Sequence, residues 1–235
     1  MKFEYTEVWG FKHAIRGMRN PHESWDKSDS IFRYAVPKVS DGKSFPDAIP
    51  AEFIDCCKLG ENDLRLMQSL IKAGSEHRKF MRQIFVSVDI TAPLYWWKEA
   101  DQYKIGTVSD SCSTMHKLAS TPITRDCFEM DDYESAQLHH YPGVGTFEVG
   151  GIWHIVIETC EKLRLAYNAT KDKCYWKELI RLLPESWLQK RTVTMNYENV
   201  LSMVRQRKNH KLTEWSEKFI EWARTLPYAD ELLFI

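Results

Sequence analysis

Alternating apolar and polar residues predict three extended segments along the chain. They cover residues 2–9 (KFEYTEVW), residues 83–90 (QIFVSVDI) and, as a short strand or extended entry, residues 191–196 (RTVTMN). A period of two places every other side chain on the same face of a sheet. The side chains that the pattern assigns to buried faces are Phe3, Tyr5, Val8, Ile84, Val86 and Val88, with Phe85 on the opposite side.

Apolar residues that recur every three or four positions predict a series of helices. Their approximate bounds are 10–18, 61–83 with a break near Gly74, 94–103, 151–167, 175–182 and 197–226. Pro93 suits the first turn of a helix, where its missing N–H is not needed, and Pro184 and Pro227 end two later helices. The dense apolar spacing over 151–167 predicts that this helix is buried.

Two polar segments are interpreted as loop insertions. The first, residues 20–50, is rich in Pro, Ser and Asp. The second, residues 117–146, belongs to a polar and irregular stretch over 106–146 that has a turn at Tyr141-Pro142-Gly143. A length of 235 residues allows one large domain or two small ones. No linker composition follows residue 60, so residues 1–235 are predicted to form a single domain.

Composition narrows the classes of function. Lys and Arg number 32 against 33 Asp and Glu, a net charge of -1, whereas proteins that bind duplexes usually carry a basic excess, so no nucleic-acid partner is expected. The sequence contains no run of 18 apolar residues, so no membrane span is predicted. The N-terminus lacks the apolar run of a signal peptide. The six cysteines form no CxxC pair. We therefore expect reduced thiols and a cytoplasmic location.

Two further features are assigned ordinary roles. The pair His139-His140 lacks a third ligand at a suitable spacing, so no metal site is predicted. The nine tryptophans either line a ring-binding pocket or fill a core and an oligomer interface, and the second interpretation is favoured. Trp96 and Trp97 point about 100° apart on a helix, which favours core packing.

An ordered series of features runs through residues 76–116. His77 precedes the strand at 83–90, Ala92-Pro93 then begins a helix, and a polar stretch ends at Ser113. A second series begins at Leu183-Pro184. It continues with Thr194-Met195-Asn196, then Arg207 eleven residues after the Asn, then Glu214-Trp215.

Together these series resemble the flavin-dependent thymidylate synthases, over roughly 90 of the 235 residues. That family has a His before a strand, an Ala-Pro helix start, and a signature of Arg-His-Arg, a Ser, Asn-Glu, a Ser and Arg-Tyr. It continues with Leu-Pro, a Thr-x-Asn that opens a helix, an Arg at the same offset and a Gln-Trp-Glu-Ile stretch. An ungapped count from Ala92-Pro93 places the signature on Gln102-Tyr103-Lys104, Thr107, Ser109-Asp110, Cys112 and Thr114-Met115.

The resemblance implies an α/β (α+β) fold with a central, mainly antiparallel sheet flanked by helices. It also implies a homotetramer that binds FAD and a pyrimidine nucleotide, dUMP, between subunits. In that family a methylene group passes from reduced folate to the uracil ring, and NADPH reduces the flavin. No cysteine nucleophile takes part in that chemistry.

The resemblance also assigns roles to individual residues. Arg207 would act on the substrate, as catalytic residue and nucleotide ligand, because a guanidinium is always charged and presents a fork of donors. The nucleotide phosphate would meet Cys112 or, after a shift of one residue, Ser113. The residues assigned to the cofactor are His77, Gln102, Lys104, Thr107, Asp110 and Asn196.

Each assignment has a simpler structural alternative. Arg207 sits among other basic residues and would serve as a solvated helix arginine, and Asn196 as a helix N-cap, a role compatible with flavin contact. His77 would be a surface or core residue. Lys104, Thr107 and Asp110 would be solvated loop residues.

Several residues of the signature are also replaced, and these replacements weaken the prediction that the protein binds the nucleotide and the cofactor. Gln102 replaces an Arg, Tyr103 replaces the His, and Thr114 or Met115 stands at the phosphate-binding Arg. The loss of one charge-assisted phosphate contact costs about 1.5–3 kcal/mol. Arg181 lies one position later than the arginine that precedes the family's Leu-Pro.

Three functions therefore remain open. The first, which the C-terminal series favours, is an FAD-dependent thymidylate synthase-like methyltransferase. The second is a catalytically inactive nucleotide- or protein-binding module on the same fold, since fold does not fix function. The third is a flavoprotein that acts on another pyrimidine.

Overall fold

The computed structural model describes residues 1–33, 56–130 and 138–235. The chain divides into two compact units. The first unit comprises Met1–Lys2, Ile90–Gln102 and Asp110–Arg191, and the second comprises Phe3–Asp89, Tyr103–Ser109 and Thr192–Ile235. Most of the insertion predicted at 20–50, and part of the one at 117–146, lies outside the described residues.

Strands and helices are interspersed along the chain. The strands are β1 (Lys2–Trp9), β2 (Ile31–Arg33), β3 (Cys56–Lys58), β4 (Phe85–Pro93), β5 (Val108–Ser111), β6 (Leu138–Tyr141), β7 (Gly145–Glu148) and β8 (Leu188–Asn196). The helices are α1 (Phe11–Arg19), α2 (Glu61–Ala73), α3 (Leu94–Ala100), α4 (Thr114–Lys117), α5 (Gly150–Thr170), α6 (Lys173–Leu182), α7 (Tyr197–Arg207), α8 (Ile220–Arg224) and α9 (Ala229–Leu232). A 3-10 turn covers Arg78–Gln83 and a π-helical turn covers Glu214–Phe219.

A four-stranded antiparallel sheet in the order β1-β4-β8-β5 is flanked by helices. This confirms the predicted combination of helices with a mainly antiparallel sheet. Two smaller antiparallel pairs, β2 with β3 and β6 with β7, lie outside that sheet. The β6–β7 hairpin turns at residues 142–144. The sequence predicted a turn at 141–143 but not the strands on either side of it.

The alternating pattern was right for β4 and wrong for one residue of β1. Ile84, Val86 and Val88 are at most 1% exposed, and Phe85 is 37% exposed, as predicted. Tyr5 is 78% exposed, because its φ of 53° is left-handed and interrupts the regular pleat. Phe3 stacks on Trp222, with ring centroids 4.8 Å apart.

The prediction of a buried α5 was also wrong. Only Cys160 and Arg164 of this helix are buried, and Ile152 and Ile155 are 61% and 62% exposed. Helix α5 packs against α6 and, at Cys160, against Leu118, Ile123 and Phe128. Around Cys160 a core of the first unit forms, and burial raises the pKa of its thiol to about 11.

The helical segment after Asn196 is interrupted. Helix α7 ends at Arg207, and the chain resumes helical geometry only at the π-helical turn Glu214–Phe219 and α8. Tyr197 begins α7 fully buried, and its hydroxyl donates to the carbonyl of Pro227 at 2.7 Å. Burial raises the pKa of this phenol above its ordinary value, which keeps the hydroxyl protonated as a donor.

A buried ion pair fixes the polar segment after α1. Arg19 Nη2 lies 2.6 Å from Asp63 Oδ1, and both side chains are at most 5% exposed. The second oxygen of Asp63 accepts hydrogen bonds from Ser28 and Ser30. A buried pair is costly to break, because the remaining charge has no partner, so this contact holds residues 28–30 against α2.

Candidate functional site

The start of α7 holds a short turn of the second unit. Asn199 Nδ2 donates to the carbonyl of Ile105 and to Thr107 Oγ1, each at 2.7 Å. Between these residues Gly106 has a φ of 74°, and a Cβ there would lie 2.7 Å from Asn196 Nδ2. Glycine is required at this position because both the backbone conformation and the space exclude a side chain.

Asn196 is the N-cap of α7. Its Oδ1 accepts a hydrogen bond from the backbone N–H of Asn199 at 3.0 Å, and the residue is 6% exposed. The capping role considered in the sequence analysis is thus confirmed. Asn196 and Asn199 together place the 105–107 turn against the first turn of α7.

The other end of α7 carries Arg207 in an aromatic setting. Its Nε donates to Tyr103 Oη at 2.9 Å, and its guanidinium carbon lies 5.0 Å from the centre of the Trp215 ring and 5.6 Å from that of Tyr103. The Tyr103 hydroxyl in turn donates to Gln206 Oε1 at 2.9 Å. A guanidinium held over two rings with a fixed Nε has few rotamers left.

The π-helical turn contributes the fully buried ring of this cluster. Trp215 is 0% exposed and meets Phe219 edge-on, with ring centroids 5.2 Å apart. Turns of this type are rare and frequent at functional sites. The sequence pointed to Glu214-Trp215 through a spacing, but the contact of Trp215 with Arg207 and the role of Gln206 were missed.

The other cofactor candidates of the second unit are His77 and Lys104. His77 is exposed and immediately precedes the 3-10 turn Arg78–Gln83. Lys104 is exposed, and its carbonyl accepts the N–H of Thr107 at 3.4 Å. Among the described residues, no hydrogen bond connects His77 with Asn196, Tyr103 or Arg207.

Among the candidates of the first unit, Gln102 follows α3, and Asp110, Cys112 and Ser113 lie on or directly after β5. Gln102 is exposed, and its side chain donates to the carbonyl of Lys98 at 3.4 Å. Asp110 is an exposed residue of β5. The Cys112 backbone N–H bonds the carbonyl of Lys190 at 2.9 Å, and the Ser113 carbonyl accepts from Lys117. The assigned roles of Gln102, Asp110, Cys112 and Ser113 stay predictions.

The first unit also contains an arginine that the sequence analysis did not select. Arg191 lies with its guanidinium carbon 4.2 Å from the centre of the Trp97 ring. Its Nε donates to Gln189 Oε1 at 2.9 Å, and its Nη1 lies 2.8 Å from Asp101 Oδ1. Gln189 Nε2 also donates to Thr114 Oγ1 at 3.3 Å. No spacing within the sequence marks Arg191, because three of these contacts come from distant segments.

Within the described ranges, no group of three or more His, Cys, Asp or Glu residues could hold a metal ion. In the same part of the chain, no helix is long and apolar enough to cross a membrane.

No protein family model matches the chain, and no curated protein matches it. Two crystal structures of the flavin-dependent thymidylate synthase ThyX from Helicobacter pylori, each with FAD and dUMP, are similar in fold. One has a TM-score of 0.64 and 14% identity over 100% of this chain and 98% of the other. The second, at 2.31 Å resolution, has a TM-score of 0.67 and 14% identity over 100% and 97%. The chain therefore has a ThyX-like fold along its whole length.

Proposed function

We propose that this protein binds FAD and a deoxyuridine nucleotide and methylates the base, with reduced folate as the carbon donor and NADPH as the reductant. The observation that carries the proposal is the full-length similarity to two structures that contain FAD and dUMP, combined with an arginine fixed at the end of α7. A homotetramer and a cytoplasmic location are part of the same proposal.

Arg207 is the residue that we assign to the nucleotide. Its guanidinium is permanently charged, and the rings of Tyr103 and Trp215 restrict its orientation. Restricting a long side chain before binding reduces the entropy lost when a ligand is bound. Arg207 thus orients the nucleotide toward the cofactor.

The second unit fits a flavin in part. Thr107 Oγ1 accepts from Asn199 and keeps its own hydrogen for a ligand, and Lys104 and His77 are exposed cationic or polar groups. Asn196 already caps α7, which leaves its amide nitrogen for a further contact. When bound, FAD would supply the redox chemistry, and these four residues would hold and orient it.

A non-catalytic binding module is the second candidate. The specific observation in its favour is the bond from Arg207 Nε to the Tyr103 hydroxyl, because this bond uses one of the donors that a ligand would need. Gln102 and Thr114, which replace two arginines of the signature, support the same alternative.

The absorption spectrum of the purified protein, before and after incubation with excess FAD and desalting, separates the two candidates. We expect a retained flavin band and saturable dUMP binding. Arg207→Gln should weaken dUMP binding about ten- to a hundredfold, the equivalent of a lost charge-assisted contact. Arg205→Gln, an exposed neighbour on α7, is the matched control and should bind dUMP normally.

Retained dUMP binding without flavin or turnover would favour the binding module. A protein that binds neither flavin nor dUMP would refute the enzyme and favour a module that binds another protein.

A further inference from the structure

Arg191 is more constrained than a solvated surface arginine. Its side chain is 16% exposed, and the guanidinium carbon lies 4.2 Å from the centre of the Trp97 ring. The ring itself is fixed, because Trp97 is 3% exposed and its indole N–H donates to the carbonyl of Gln189 at 3.0 Å. The guanidinium is therefore oriented by the side chains of Trp97 and Gln189 before any ligand arrives.

The hydrogen bonds of Arg191 leave donor capacity. Of five N–H groups on a guanidinium, the contacts with Gln189 and Asp101 use two. Across residues 1–33, 56–130 and 138–235, Nη2 of Arg191 has no hydrogen-bond partner. A planar fork with adjacent unused donors matches the oxygens of a phosphate or carboxylate.

Two neighbouring groups indicate which anion the fork would accept. Asp101 already places a carboxylate 2.8 Å from Nη1, so the position is one that an anion occupies. Gln189 joins the fork to Thr114, since its amide contacts Arg191 Nε through oxygen and Thr114 Oγ1 through nitrogen. Thr114 lies across the Gln189 amide from the guanidinium, and its hydroxyl can donate to a tetrahedral anion, for which a phosphate offers more acceptors than a carboxylate.

We propose that Arg191, with the Thr114 hydroxyl, binds the phosphate group of a phosphate monoester, and that the Asp101 carboxylate occupies this position until the phosphate displaces it. The inference rests on the proposed function only for the identity of the ester, a nucleotide. Displacement is inexpensive, because Asp101 is 50% exposed and exposed ion pairs contribute little. A phosphate dianion brings more charge than the carboxylate it replaces.

The test measures stabilisation of the full-length protein by inorganic phosphate at constant ionic strength. A ligand that binds only the folded state raises the melting temperature, and the rise grows with the ratio of the ligand concentration to its dissociation constant. We expect the phosphate-dependent rise to disappear in Arg191→Gln and to require about tenfold more phosphate in Arg191→Lys, which keeps the charge but loses the fork. Asp101→Asn should need several-fold less phosphate than the parent protein, on the order of threefold, because a competing anion is removed.

Arg181→Gln is the control for the loss of one positive charge. Arg181 is an arginine of α6 that is 57% exposed and pairs with Glu178, so its removal should leave the phosphate response unchanged. An equal response in Arg191→Gln and the parent protein would overturn the proposal. So would a response that Arg181→Gln loses to the same extent, or an Asp101→Asn variant that needs more phosphate than the parent.

A second arm replaces inorganic phosphate with dUMP and with deoxyuridine. We expect Arg191→Gln to weaken dUMP binding and to leave deoxyuridine binding unchanged. Equal weakening of both would contradict a phosphate contact. If the parent protein binds phosphate through Arg191 but binds no dUMP and no flavin, the proposed function fails and the phosphate site stands.

Discussion

Arg207 and Arg191 show two ways of fixing a guanidinium. Arg207 ends a helix in the second unit and lies between Tyr103 and Trp215, with its Nε on a phenol hydroxyl. Arg191 lies on a strand of the first unit, rests on Trp97 alone, and contacts an amide and a carboxylate. The two settings differ in the number of aromatic rings around the guanidinium. They also differ in the charge of a hydrogen-bond partner, which is a neutral phenol at Tyr103 and a carboxylate at Asp101.

The comparison teaches that a tryptophan beneath an arginine does not by itself identify a ligand site. What distinguishes the sites is the group that must move when a ligand arrives. Tyr103 is half-buried and its hydroxyl is engaged on both sides, by Arg207 and Gln206, so it is a fixed part of its cluster. Asp101 is half-exposed and free to rotate into solvent, so it is exchangeable.

The largest loss of stability is expected when the tryptophan that packs against either arginine is replaced. Trp215→Ala should lower the free energy of unfolding by about 3–5 kcal/mol, because the ring is fully buried and leaves a cavity. Urea denaturation measures the change. Trp97→Ala should cost a similar amount, and only this variant should also lose the phosphate-dependent rise in melting temperature. A phosphate response lost in both variants would mean that the two settings are not independent.

A smaller loss of stability is expected when the hydroxyl of Tyr103 is removed. Tyr103→Phe keeps the ring near Arg207 and removes the hydroxyl that accepts from Nε and donates to Gln206. We expect the free energy of unfolding to fall by about 1 kcal/mol. Denaturation of Tyr103→Phe beside Tyr175→Phe, a 36% exposed phenol of α6 in the other unit, tests whether the loss belongs to this cluster. No change in stability would show that the hydroxyl does not fix Arg207.

The smallest effect is expected from Asp101. Asp101→Asn should change the free energy of unfolding by about 0–1 kcal/mol, because half of the side chain is in water and salt screens the pair. Denaturation at low and high salt checks this expectation. A loss of several kcal/mol would identify the Arg191–Asp101 contact as structural, and the exchangeable carboxylate would have to be abandoned.

Much of the fold followed from local patterns. The burial of Ile84, Val86 and Val88 and the break near Gly74 were predicted, because periodicity and glycine act over a few residues. The exposure of Tyr5 was not predictable, since one left-handed residue shifts the face of a strand without any sign in the composition. The exposed side chains of α5 were not predicted. The apolar residues of a helix show how much apolar surface could be buried, and not how much of it the neighbouring elements cover.

The sequence by itself determined the longer strands and most of the longer helices, the cap at Asn196 and the offset that selects Arg207, because each depends on residues a few positions apart. Only the tertiary structure decided that Tyr103 and Trp215 meet Arg207, and that Trp97, Asp101 and Gln189 converge on Arg191. Those contacts join segments that are far apart in the chain or side chains that one strand turns to the same face. Pairings of this kind depend on how elements pack, and no local pattern encodes them.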